Sequence, residues 1–220
     1  MNKSFGNADP KLEAYTYRTF APEDPFLVDV RGRAQAAGLP DIHVAPLDGL
    51  HLEVLCRLVG AKKAVEIGTL AGYSGTCLLR GMPPSGSLHT FEIDARHAAV
   101  ARETFKRAGF EGRARIHVGP ALERLAEIVA DGPFDLVFID ADKSSYGAYT
   151  EWAAENLRHG GAVILDNAFL FGQIVDEPKG EAASAIRGMR RSHEVLARSG
   201  RFRSTMFPTG EGLAVGVKVA

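Results

Sequence analysis

Two apolar runs in this chain end in oxygen donors. Phe134-Asp-Leu-Val-Phe-Ile-Asp140 closes on a carboxylate, and Ala162-Val-Ile-Leu-Asp166 closes on a second carboxylate followed by the amide of Asn167. Short β-branched and aromatic runs bounded by Gly or Pro suit strands covered on both faces. Ser145 to Arg158, between them, has the length and spacing of a crossover helix, which makes the two strands parallel. Parallel strands bring their C-terminal ends to one sheet edge, where open α/β folds bind ligands. Asp140, Asp166 and Asn167 then converge, with Lys143 three residues beyond the first acid. Two carboxylates and an amide oxygen form a hard-oxygen set suited to Mg²⁺, Ca²⁺ or Mn²⁺. A single strand-end Asp is often only the N-cap of the next helix, and Asp142 is read that way. Capping needs one oxygen, whereas this edge offers three.

A second group of residues points to a different ligand. The first strand leads into Glu66-Ile-Gly68-Thr-Leu-Ala-Gly72-Tyr-Ser74-Gly75. Glycines there let the backbone turn tightly and approach a ligand closely. A dinucleotide fingerprint places Gly at relative positions one, three and six, whereas these fall at one, five and eight. Glu66 also sets a carboxylate where a pyrophosphate would be repelled. The run Ser87-Leu-His-Thr-Phe-Glu92 ends in another acid, a position that accepts hydrogen bonds from ribose hydroxyls. Glu66 for an ammonium and Glu92 for a ribose together describe S-adenosylmethionine, which has no phosphate. The competing reading is a glycine turn that serves tight packing alone.

These residues need a parallel sheet to hold them. From Ala64 onward strands and helices alternate: Ala64–Ile67, Ser74–Arg80, Ser87–Ile93, Ala95–Ala108, Arg115–Val118, Ala121–Ala130, Phe134–Asp140, Ser145–Arg158 and Ala162–Asp166. Such alternation argues an α/β sheet with helices on both faces. Before residue 61 the pattern is helical, over Pro10 to Phe20, Asp24 to Ala37 and Pro46 to Val59. After a helix at Glu181–Ser199, the strand-like Phe202–Phe207 and Leu213–Val219 flank Pro208-Thr-Gly-Glu-Gly212. This is a hairpin signal, so at least one terminal strand runs antiparallel. The expectation is a single domain over residues 1–220, with a helical cap or lid at 1–60 and an α/β core at 61–220.

Composition sets the class. The chain has 220 residues, 45% hydrophobic and 24% charged, with a net charge of −1. That is an ordinary globular balance and gives no support to nucleic-acid or anionic-membrane partners. Arg187, Arg190, Arg191, Arg198, Arg201 and Arg203 read as a solvated face. Cys56 and Cys77, the only two cysteines, lie in helical pattern and read as small core residues. No apolar stretch has the length of a membrane span. The polar start, MNKSFGNADPKLEAY, lacks the apolar core of a signal peptide, so a cytoplasmic enzyme is expected.

Taken in order, EIGTLAGYSG, FEID, VGPALERL, FIDADK and LDN resemble the cation-dependent O-methyltransferases, which include catechol and caffeoyl-CoA O-methyltransferases. The likeness runs from about His43 to the C-terminus. FIDADK followed by LDN carries its specificity, while EIGTLAGYSG alone marks only the broader methyltransferase fold. The resemblance implies a Rossmann-like methyltransferase fold with a mostly parallel seven-stranded sheet, an antiparallel C-terminal strand and a helical N-terminal cap. It implies Asp140, Asp166 and Asn167 as metal ligands, Mg²⁺ foremost, and Lys143 as the catalytic lysine, with Asp140 close to both ligands. Val44, Glu66, Gly68, Thr69, Ser74, Glu92, Ala121 and Asp140 match positions that contact S-adenosylmethionine. The acceptor so implied is a catechol-type small molecule, hydroxycinnamoyl-CoA esters included, and the assembly a homodimer.

The chain departs from the family pattern in two places. The family often carries Met where this chain has His43, and Glu-Gly-Gln where it has Gly49-Leu50-His51. His43 is expected as a non-catalytic wall residue, with a role in the substrate pocket as the alternative. The substrate-covering segments, Phe5 to Pro40 and Ala168 to Pro178, transfer least. Two rivals share parts of the pattern. A metal-independent methyltransferase needs Glu66 to Glu92 but not the three-oxygen set. A non-catalytic nucleotide-binding module has no use for Lys143 beside that set.

Overall fold

The computed structural model describes residues 9–220; the polar start through Ala8, and with it the first residues of the Phe5–Pro40 segment, lies outside the described residues. Three helices come first: α1 (Pro10–Phe20), α2 (Pro25–Ala36) and α3 (Pro46–Val59). Each carries Pro in its first turn, where the missing N–H costs nothing. The Asp9 and Asp24 carboxylates accept from backbone N–H groups of α1 and α2. Helix α1 buries no side chain, whereas α2 turns Leu27, Val30 and Ala34 inward.

The rest alternates as β1 (Lys63–Ile67), α4 (Tyr73–Gly81), β2 (Ser87–Glu92), α5 (Ala95–Arg107), β3 (Ala114–Val118), α6 (Ala121–Arg124), β4 (Phe134–Ile139), α7 (Tyr146–Asn156), β5 (Leu157–Leu165) and α8 (Ala183–Arg198). Two strands close the chain, β6 (Phe202–Phe207) and β7 (Leu213–Lys218). The seven strands lie in the order β3-β2-β1-β4-β5-β7-β6. All neighbours are parallel except those of β7, which runs antiparallel to β5 and β6. One reversed strand, the last, is what the terminal hairpin requires.

Side-chain alternation divides the core in two. Ala64, Leu136, Phe138 and Ile164 face α2 to α5, where they meet Leu52, Leu78, Leu79 and Phe105. Val65, Ile67, Val137, Ile139, Val163 and Leu165 face the other way, toward Leu125, Tyr146, Ala153, Met189 and Val195. The central strands are therefore apolar on both faces, as helices on either side demand. No helix among the described residues is long and apolar enough to cross a membrane.

Most boundaries shift by a residue or two from the sequence reading, and the larger differences have a tertiary reason. The expected helix Ala121–Ala130 is one α-turn followed by a 3₁₀ segment, Leu125–Asp131. Its buried residues, Leu125 and Ile128, are three apart, which a three-residue turn keeps on one side. The expected Ser145–Arg158 helix ends at Asn156, and β5 starts at Leu157 rather than Ala162. Leu157 already pairs with Phe134, and the register then shifts so that Ala162 meets Leu136. Gly160, at φ +75°, takes up that irregularity.

Candidate active site

Chain order reverses between β1 and β4, the switch point at which open α/β sheets form a crevice. A cavity of about 990 Å³ opens there, over the C-terminal strand ends. Asp140 N–H donates to Ile67 O at 2.8 Å and Gly68 N–H to Phe91 O at 3.0 Å, so β1 is stitched to both neighbours at its tip. Gly68 sits at φ +101°, and a Cβ on it would run into the backbone carbonyl of Asp140. Only glycine fits this contact.

Val44, Gly68, Thr69, Ser74, Glu92, Ala121 and Asp140 all line the cavity, as do Lys143, Asp166 and Asn167. Glu66 does not. It is fully buried beneath the floor, where Ser74 Oγ donates to Oε1 and Thr90 Oγ1 donates to Oε2, each at 2.6 Å. Burial, aided by the charges of Asp140 and Glu92, pushes its carboxyl up to about 8. Glu66 thus reaches the cavity through Ser74. Glu92 keeps its place at the wall: Oε2 accepts from Leu70 N–H at 2.8 Å and Oε1 from Asp94 N–H at 2.9 Å. Those bonds aim the carboxylate and leave lone pairs on both oxygens.

At the other end, β4 and β5 deliver Asp140, Asp166 and Asn167 side by side, with Asp166 N–H donating to Ile139 O at 3.0 Å. Asp166 is 4% exposed. Its carboxyl is raised well above the usual carboxylate range by burial and by the neighbouring Asp140 charge, against the pull of the Asn167 N–H at 2.7 Å and of Lys143. Asn167 stands at φ +50°, a left-handed conformation that Asn adopts more readily than most residues. Lys143 Nζ donates to Asp140 Oδ1 at 2.9 Å and to Tyr146 Oη at 2.6 Å. Two crowded carboxylates beside one ammonium are an environment that a divalent cation would relieve. The donor set, two carboxylates and an amide, fits a hard cation. Among the described residues no cluster of three or more His, Cys, Asp or Glu side chains suits a metal, so the amide of Asn167 is needed to complete the set.

Asp142 caps the turn into α7, accepting from Ser145 N–H at 3.1 Å and from the Tyr149 hydroxyl at 2.8 Å. His43 forms wall, its ring centroid 5.8 Å from that of Tyr73, and burial lowers its pKa. Sequence reasoning missed several wall residues. His97, one turn into α5, stands 3.4 Å from Glu92 Oε1. Asp48, in the first turn of α3, is buried at the wall with His51 Nδ1 3.4 Å away. Glu211 lines the cavity too, beside Phe171 of the 168–178 segment, and its Oε2 accepts from Phe171 N–H at 3.0 Å. The available signal was slight: Asp48 resembles any first-turn acid, and Glu211 any hairpin-tip acid.

Comparison with known proteins decides the family. The O-methyltransferase family model matches residues 18–219. The chain belongs to the O-methyltransferase family. A catechol O-methyltransferase of Niastella koreensis is 40% identical to this methyltransferase over 176 residues, covering 79% of each chain. One of Mycobacterium tuberculosis is 40% identical over 178 residues, covering 81% of this chain and 80% of its own. The crystal structure of an O-methyltransferase from Bacillus cereus in complex with SAH superposes with a TM-score of 0.87 at 34% identity, covering 94% of this chain and 97% of the other. The class to which this methyltransferase belongs transfers a methyl group from S-adenosylmethionine to a hydroxyl. The acidic wall suits such a cation: besides Asp140 and Asp166 it carries Asp41, Asp48, Glu92, Asp142 and Glu211, against Lys143 as its one Lys or Arg among the described residues.

Proposed function

We propose that the protein is a divalent-metal-dependent O-methyltransferase that methylates one hydroxyl of a catechol-type small molecule. The observation that carries this reading is the meeting of Asp140, Asp166, Asn167 and Lys143 in one cavity that Gly68 and Glu92 also wall. The catechol O-methyltransferases among its relatives support the acceptor class.

When bound, S-adenosylmethionine supplies the methyl group as a sulfonium substituent. Glu92 would accept hydrogen bonds from the ribose hydroxyls, the backbone at Gly68 would admit the amino-acid part closely, and Ser74, held by Glu66, and Val44 would complete the cofactor's wall. Asp140, Asp166 and Asn167 would hold a divalent cation, which would supply Lewis-acid chemistry that lowers the pKa of a phenolic hydroxyl. The need is real, since ionising a phenol of pKa ~10 at neutral pH costs about 4 kcal/mol. Lys143 Nζ, at the wall beside Asp140, would take the departing proton in its neutral amine form, which keeps two N–H donors and one lone pair, a role worth roughly 10²–10⁴ in rate. Placing the two reactants in line can contribute a further ~7–11 kcal/mol.

A methylation assay over a panel of catechols and single phenols tests this, with products identified by NMR. Vicinal diols are the expected acceptors, with activity abolished by EDTA and restored by Mg²⁺. Full turnover in chelator would sink the metal requirement. Turnover of single phenols in preference to diols would replace the acceptor class.

A further inference from the structure

Tyr146 opens α7 one turn after Lys143 and is fully buried. Its Oη lies 3.1 Å from Ile139 O and 3.4 Å from Asp166 O. Both are carbonyl oxygens, which only accept, so the phenolic proton goes to Ile139, the nearer of the two. The hydroxyl therefore turns a lone pair toward Lys143 Nζ, 2.6 Å away. We propose that Tyr146 is a positioning residue for Lys143: its hydroxyl, fixed by the end of β4, sets where the lysine amine points. The proposal rests on the reading of Lys143 as the proton acceptor.

The geometry leaves the amine little choice. One Nζ–H goes to Tyr146 and another to Asp140 Oδ1, and the Tyr146 ring lies beneath, its centroid 4.6 Å from Nζ. Cε and these two bonds take three of the four tetrahedral directions at Nζ, which leaves one for a group in the cavity that Lys143 lines. Ile139 immediately precedes Asp140, and the second carbonyl within reach belongs to Asp166 itself. A single hydroxyl thus ties the amine to the end of β4 that carries Asp140, with the Asp166 carbonyl alongside. A proton acceptor must lie within about 2.6–3.2 Å of the group it deprotonates, and a four-carbon side chain does not hold such a position by itself.

The alternative is a core tyrosine whose hydroxyl merely satisfies a carbonyl. A double-mutant cycle separates the two, because Tyr146→Phe keeps the ring and volume and removes only the hydroxyl. Single-turnover rates with labelled S-adenosylmethionine are compared for the wild type, Y146F, K143M and the double variant. The expected result is a loss of about tenfold or more in rate for Y146F, with the S-adenosylhomocysteine Kd unchanged within about twofold, and a change below about twofold when Y146F is added to K143M. An equal loss in both backgrounds overturns the proposal, as does an unchanged rate in Y146F. If K143M keeps wild-type turnover, the base assignment itself fails. Should Y146F melt below the assay temperature, 3,5-difluorotyrosine at position 146 keeps the hydroxyl and weakens it as an acceptor. The rate must then fall in the Lys143 background and not in K143M.

Discussion

Asp166 is the residue that folding leaves least comfortable. It is buried against a second carboxylate, and the one ammonium nearby is already bonded to Asp140 and Tyr146. A carboxyl held above its usual range keeps its proton nearer to neutral pH, and a cation must displace that proton to bind. Mg²⁺ affinity is therefore expected to rise with pH, being weaker at about pH 6 than at about pH 8, in calorimetric titrations. An affinity that falls with pH would contradict this. Asp166→Asn should erase the rise in Tm that Mg²⁺ gives, while the rise given by S-adenosylhomocysteine persists. At this scale the sequence was readable where an acid ended a strand, because strand polarity alone fixes that position. It was unreadable for Glu66. Two hydroxyls from Ser74 and Thr90, 8 and 24 residues away, take up both carboxylate oxygens, and no local pattern announces such a partnership.

At the scale of elements, the β1–α4 turn governs how close a ligand can come. Gly68 combines a left-handed φ with contact against the Asp140 carbonyl. Gly68→Ala is expected to destabilise the fold by about 1–3 kcal/mol through backbone strain and to weaken S-adenosylhomocysteine binding. Urea unfolding and calorimetry would measure the two effects, and a variant as stable as the wild type would remove the steric argument. The strands and most helices were legible because their apolar periods are strong. Errors gathered at ends, as at Leu157, where pairing with Phe134 extends a strand through a polar Arg-His-Gly-Gly stretch. Tyr146 was legible as part of a helix but not as a partner of Lys143, because its spacing reads equally well as core.

For the molecule as a whole, a histidine pair at the other side of the sheet shapes stability. His89 on β2 stacks on His117 of β3 with ring centroids 5.3 Å apart and a nitrogen–nitrogen distance of 3.0 Å. Burial, then the His117 charge, lowers His89 to about 4, with Arg115 and Lys63 acting in the same direction and Asp131 against. Unfolded, His89 protonates near pH ~6.5. Between those values the unfolded chain holds more protons, so folding stability falls as pH drops from about 6.5 to about 4, by up to about 3 kcal/mol. Denaturant titrations across that window should show the loss, and His89→Gln should flatten it. A wild-type stability that does not change across the window would exclude the pair as its source.

The proposed acceptor wall rests on a different footing from the strand ends. Residues 168–176 hang from the β6–β7 turn by Ala168 N–H to Gly212 O and Phe169 N–H to Glu211 O, and from α8 by Arg190 to the carbonyls of Ile174 and Asp176. These attachments use the loop's main chain, Ala168 and Leu170 are buried beneath it, and Phe171 and Val175 are exposed. The exposed positions of this loop can therefore change by mutation while Asp140, Asp166 and Asn167 stay where the sheet puts them. Such a scaffold can change clientele without relearning its chemistry.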